Sequence, residues 1–127
     1  MKYLLDTHAL IWYFEDSPEL SKAASALIDH PDNSVYVCSV SLWEIAIKMS
    51  IGKLQLHMAF DDLLNHLRTG DFNIIQIEDG YLHQLLTLPF LHKDPFDRLL
   101  IAAALAEEFV IITADENIQK YDVPWIW

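Results

Sequence analysis

A single cysteine, Cys38, occurs in 127 residues, which excludes an internal disulfide and a cysteine-built zinc cluster. It lies in the apolar stretch Val35-Tyr36-Val37-Cys38, where a thiol packs as a small hydrophobe. Glycine and proline are also scarce, 3 and 5 residues in a chain that is 53% apolar. That balance excludes low-complexity and disordered chains and predicts a packed core. Basic residues are short as well: 8 Lys and Arg face 19 Asp and Glu, for a formal charge of −11. So acidic a chain does not adhere passively to phosphate backbones or anionic membranes. A nucleic-acid substrate would need bound cations, a local basic patch or a basic partner to offset the charge. No apolar run approaches the ~20 residues of a membrane span, and MKYLLDTH turns polar too early for a signal peptide. A soluble, cytoplasmic protein with no membrane partner is expected, and 127 residues predict one domain, 1–127.

What is present alternates. Short apolar runs at Lys2 to Leu5, Val35 to Cys38, Asn73 to Ile77 and Phe109 to Thr113 read as strands, with a weaker one at Pro124 to Trp127. Apolar spacing and capping signals predict helices near 7–15, 19–29, 41–51, 60–69, 79–87, 95–107 and 115–120, with Gly52 and Gly70 at helix C-caps. In the fourth helix Phe60, Leu63, Leu64 and Leu67 follow i, i+3, i+4, i+7, the mark of an amphipathic helix laid on a core. Strands that are nearly all apolar and alternate with helices predict a three-layer α/β/α domain around a parallel sheet of about five strands.

Ligands of open α/β sheets bind beyond the carboxyl ends of the strands, and four acids fall there. Asp6 closes the first strand, Asp115 follows the last strong strand, Glu44 lies in the first turn after the second, and Asp97 lies in the first turn of the helix opened by Asp94-Pro95-Phe96. Structural roles account for some of them. Ser41-x-x-Glu44 fits a capping box, and Asp94, Pro95 and Asp97 fit N-cap, N1 and N3 of a helix. Capping does not account for Asp6, which precedes Thr7, itself a good N-cap, or for four acids on one sheet edge. Carboxylates gathered there repel unless a cation lies among them, and hard ions such as Mg²⁺ or Mn²⁺ take oxygen ligands. The pattern predicts an all-carboxylate metal site suited to phosphoryl chemistry.

The blocks LLDTHALIW at 4–12, SLWEIAIK at 41–48, HKDPFDRLLIAAAL at 92–105 and IITADENI at 111–118 closely resemble those of the PIN-domain family, in its order and spacing. Within that family they are most similar to VapC-type toxins of bacterial and archaeal toxin–antitoxin pairs. The resemblance implies a Mg²⁺- or Mn²⁺-dependent endoribonuclease and a sheet of order 3-2-1-4-5. It also implies Asp6 and Asp97 as principal metal ligands, with Glu44 and Asp115 completing the cluster and orienting the attacking water. It further implies a homodimer, RNA as substrate, and a small cognate antitoxin whose C-terminal tail fills or disrupts the acidic cleft. Thr7 and Thr113 match positions where a hydroxyl could support a carboxylate. Asp94 keeps its N-cap role, and Arg98 is a candidate partner for an acid or a phosphate, or a structural ion pair.

Two other readings stand beside this one. A PIN-like binding module could keep the fold without activity, although all four acids are present. An aspartyl-phosphate protein, receiver-like or haloacid-dehalogenase-like, also places acids at strand ends; Asp6-Thr7-His8 supplies no second acid, and no lysine follows Ile111-Ile112-Thr113. The histidines His8, His30, His57, His66, His83 and His92 show no metal-ligand spacing and read as structural or surface residues, with His8 and His92 nearest the acids. Trp12, Tyr13, Phe14 and Trp43 read as core. Trp125 and Trp127 fit either an interface or an edge strand packed inward.

Overall fold

A computed structural model describes residues 1–127. Five strands, β1 (Lys2–Leu5), β2 (Ser34–Cys38), β3 (Phe72–Ile75), β4 (Val110–Ile112) and β5 (Trp125–Ile126), form one sheet. The sheet is parallel throughout, in the order β3-β2-β1-β4-β5. The helices are α1 (Thr7–Phe14), α2 (Lys22–Asp29), α3 (Ser39–Ser50), α4 (Phe60–Thr69), α5 (Asp79–Thr87), α6 (Pro95–Glu107) and α7 (Glu116–Gln119). The three-layer α/β/α expectation and the implied strand order both hold. A receiver-like domain would run 2-1-3-4-5, so the topology sets the receiver-like form of the aspartyl-phosphate rival aside.

Period-two alternation divides the strands between two cores. Leu4, Cys38 and Ile111 face the core built with Tyr81 of α5, Leu100 and Ala103 of α6 and Ile118 of α7. Tyr3, Leu5, Val35, Val37 and Ile112 face the opposite core, closed by Leu10 of α1, Ala24 and Ile28 of α2 and Leu63 and Leu67 of α4. Burial on both faces is why these strands read as continuous apolar runs. α6 is buried over Leu99–Ala104, so it is apolar nearly all round. No helix is long and apolar enough to cross a membrane.

Element bounds differ from expectation where a local interaction outcompetes periodicity. The helix expected from residue 19 starts at Lys22, because Ser17 and Pro18 make a turn in which Ser17 Oγ accepts from Glu19 N (3.1 Å), and Ser21 caps with Oγ on Ala24 N (3.0 Å). α3 begins at Ser39, two residues early; its N-cap Cys38 makes no side-chain cap bond, so Ser41 and Glu44 form no capping box and are buried instead. Gly52 takes the left-handed conformation just past α3 (φ +73°). Gly70 caps α4 without it (φ −91°) and is required for another reason: a Cβ there would lie 2.7 Å from the His66 carbonyl oxygen.

Helix α6 ends on a left-handed side-chain-bearing residue, Glu108 (φ 60°). Glu108→Gly should therefore raise stability by about 0.5–1 kcal/mol, whereas Gly70→Ala should cost about 1–3 kcal/mol. Urea unfolding of both variants checks the pair, and the same sign of change in both would contradict the geometry.

Candidate active site

In a parallel sheet every strand ends on the same side, and a helix leading into a strand begins on that side. Asp6 at the end of β1, Glu44 in α3 after β2, Asp115 after β4 and Asp97 in the first turn of α6, which leads into β4, are thereby brought to one edge. From β1 the chain turns toward β2, and from β4 toward β5. The gap between β1 and β4 is thus the switch point, where open α/β sheets bind ligands.

Asp6 (3% exposed) sits at that gap. Its Oδ1 accepts from Ala9 N at 2.7 Å and its Oδ2 accepts from Thr113 Oγ1 at 2.5 Å. Asp6 is thus the N-cap of α1 and Thr7 is its first residue, contrary to the reading that gave Thr7 the cap. The Thr113 hydroxyl also accepts from Asp115 N (2.9 Å), so one side chain ties the ends of β1 and β4 together. Asp115 caps α7 through Asn117 N (2.8 Å). Asp6, His8, Trp12, Ala114 and Asp115 line a cleft of about 230 Å³.

Glu44 (3% exposed) is held at both oxygens. Oε1 accepts from Thr7 Oγ1 at 2.7 Å and Oε2 pairs with Lys48 Nζ at 2.7 Å, one turn along α3. Buried Ser41 places its hydroxyl 3.0 Å from that of Thr7. The Glu44 hydrogen bond holds the Lys48 ammonium above its ordinary pKa, and the charges of Glu44, Asp94 and Asp97 add to it.

Asp94 is the N-cap of α6, accepting from Phe96 N (2.9 Å) and Asp97 N (3.1 Å), with Pro95 at the first helical position. Asp97 is left turned toward the other acids, and His92 Nε2 lies 3.2 Å from its Oδ2. Burial first, then the charges of Asp94, Asp115, Glu44 and Asp6, push the Asp97 carboxyl up to about 8. Burial pushes Asp6 up to about 6, opposed by the Thr113 and Ala9 hydrogen bonds and by His8. Asp97 rises further although less enclosed, because four negative neighbours surround it.

Uncompensated negative charge and an all-oxygen donor set are what a hard divalent cation relieves, so the residues fit such an ion in charge and in donor type. The side chains are not grouped as a ready three-ligand shell. A divalent ion here would be held by one or two carboxylates, with water at its remaining positions.

Several residues depart from expectation. Arg98 meets none of the four acids: Nη1 donates to Pro89 O (2.9 Å) and Tyr121 Oη (3.0 Å), and its guanidinium lies over Phe90 (4.8 Å). Trp43 is no core residue; it is 60% exposed, edge-on to Phe96 at 5.3 Å. Trp127 packs edge-on to Trp12 (5.8 Å) while Trp125 stays 44% exposed. Lys48 and Tyr121 were not anticipated as site neighbours. Lys48 carried a signal, lying four residues after Glu44 on a helix; Tyr121 carried none.

A site of four acids at the switch point of a parallel 3-2-1-4-5 sheet defines the class, and the chain belongs to the PIN-domain family, whose profile matches residues 3–124. It is 29% identical to ribonuclease VapC22 of Mycobacterium tuberculosis over 126 residues, covering 95% of this chain and 92% of that protein. In fold it is similar to VapBC2 from Rickettsia felis, solved bound to a DNA fragment from their promoter (TM-score 0.76, 16% identity, 99% of this chain and 98% of that one). It is also similar to FitAcB from Neisseria gonorrhoeae (TM-score 0.68, 16% identity, 98% and 96%).

The raised carboxyls set a pH dependence. The folded chain holds more protons than the unfolded one from about pH 4 to about 8, so stability without divalent ions falls as pH rises through that window. Thermal unfolding in EDTA should give a lower Tm at pH 8 than at pH 5. Asp97→Asn should flatten the upper part of the slope and raise Tm at pH 8; an unchanged slope would mean that Asp97 is ionised throughout.

Proposed function

We propose that the chain is a divalent-metal-dependent endoribonuclease, the toxin of a VapBC-type pair, acting on RNA as a homodimer and restrained by a small cognate antitoxin. The observation that carries this reading is the convergence of four carboxylates at the β1–β4 switch point, two of them holding protons well above the ordinary carboxylate range. The likeness to ribonuclease VapC22 supports RNA as the substrate. The likeness in fold to a toxin–antitoxin complex from Klebsiella pneumoniae (TM-score 0.66, 19% identity) supports an antitoxin partner.

In this reading Asp6 and Asp97 supply the ligand oxygens for Mg²⁺ or Mn²⁺, directly or through water. A bound divalent ion supplies Lewis-acid charge that draws in the phosphodiester, lowers the pKa of water and steadies the leaving oxygen. Glu44 and Asp115 complete the negative cluster and orient the attacking water in line with the scissile bond. Thr113 keeps the Asp6 carboxylate and the Asp115 backbone in register, and Thr7 does the same for Glu44. Lys48 balances Glu44, so the acids are not left wholly to repel one another. Asp94 acts through the start of α6. A module that kept this arrangement without activity would have no use for carboxylates that burial and mutual repulsion destabilise.

Cleavage of RNA by wild type, Asp6→Asn and Asp97→Asn in Mg²⁺, Mn²⁺ or EDTA tests the proposal, with circular dichroism reporting the fold. Each substitution should reduce the rate about 100-fold or more, the scale for removing an electrostatic group at a reacting centre, and EDTA should abolish cleavage. Metal-independent cleavage, or full activity in both variants, would overturn it.

A further inference from the structure

The buried phenol of Tyr121, beside the start of α6, collects an unusual number of partners. Its oxygen lies 3.2 Å from Leu91 N, 3.2 Å from His92 N, 3.0 Å from Arg98 Nη1 and 2.9 Å from His92 Nδ1. The first three groups can only donate. His92 Nδ1 is therefore the one acceptor left for the phenol's own proton. Leu91 N shares its proton with Pro89 O (3.2 Å), and the opposite arrangement would add His92 Nδ1–H to the donors crowding the Tyr121 oxygen while leaving the Tyr121 proton without a partner in a buried place. Nδ1 of His92 is thus bare and the ring proton sits on Nε2, which faces Asp97 Oδ2 at 3.2 Å.

From this geometry we infer that His92 is a positioning residue for Asp97: Tyr121 sets its tautomer, so that a neutral imidazole donates Nε2–H to one carboxylate oxygen and turns the other toward a divalent cation. The inference rests on the ribonuclease reading above. A neutral donor orients the carboxylate without bringing a positive charge that would compete with the cation. An outer partner on a ligating side chain acts in this way, and its loss typically weakens metal binding. Arg98 belongs to the same device. By holding Pro89 O and the Tyr121 oxygen it fixes the turn that carries His92, so this residue beside Asp97 serves the site without touching an acid.

The tautomer is read directly by long-range ¹H–¹⁵N correlation on the metal-free wild type. The expected pattern is a protonated Nε2 and a bare Nδ1 at His92, and the reverse pattern overturns the inference without reference to any variant. Calorimetric titration with Mn²⁺ alone then measures the consequence. His92→Ala and Tyr121→Phe, each shown folded by circular dichroism, should weaken Mn²⁺ binding about 10- to 100-fold, with His92→Gln, which keeps an N–H donor, recovering part of the loss. Wild-type Mn²⁺ affinity in both His92→Ala and Tyr121→Phe sinks the role of His92. Asp97→Asn in the same titration separates the two failures: if it too binds as wild type, the metal-site reading itself falls.

Discussion

Burial of the Asp6 carboxylate at the parting of β1 and β4 is the constraint on which the site depends. A carboxylate taken out of water is tolerated only when its oxygens are hydrogen-bonded, and here the two donors come from different elements, Ala9 N in α1 and Thr113 Oγ1 after β4. The same bonds that satisfy Asp6 therefore fix where α1 starts and how the end of β4 lies against β1. They do not remove its charge. The ion pair nearest the cluster, Lys48 with Glu44, engages a different acid, so Asp6 and Asp97 keep part of their cost as a raised affinity for protons. Stability is lower than an apolar edge would allow, and the edge is left ready for a cation.

Topology explains why those acids meet. Parallel strands need crossovers, crossovers cover both faces, and all strands finish on one side. There residues far apart in the chain gather without entering either core. A short acidic side chain at the start of a helix satisfies backbone N–H groups and also stands at this edge. Asp6 and Asp115 cap helices and line one cleft, while Asp94 takes the capping of α6 and leaves Asp97 turned toward the other acids. Capping and a place at the acidic edge are divided between neighbours in one helix and shared by a single residue in two others.

The polar network around the acids is graded in the same way. Hydroxyls reach Asp6 and Glu44, an imidazole reaches Asp97, and each carboxylate keeps lone pairs beyond those its protein donors use. Behind the imidazole, Tyr121 and Arg98 hold a turn that has no regular secondary structure of its own. Precision at Asp97 thus comes from a buried phenol rather than from the ladder of the sheet.

By itself the sequence determined the layer architecture, the cores and the acids. Each rests on short-range regularities: period-two runs such as Val35 to Cys38, the 3.6-residue spacing of Phe60 to Leu67, and Asp-Pro at the start of α6. α4, α5 and α6 accordingly lie at their expected bounds, while α2 and α3 shifted where Ser17 and Ser21, or burial of Ser41 and Glu44, outweighed the local pattern. Only the tertiary structure decided which hydrogen bonds the acids make, that Trp43 lies outside the core, that Arg98 turns away from the acids, and that Tyr121 reaches His92. Those contacts join residues far apart in the chain, and which of several chemically equal donors reaches a given carboxylate depends on where the folded chain places it.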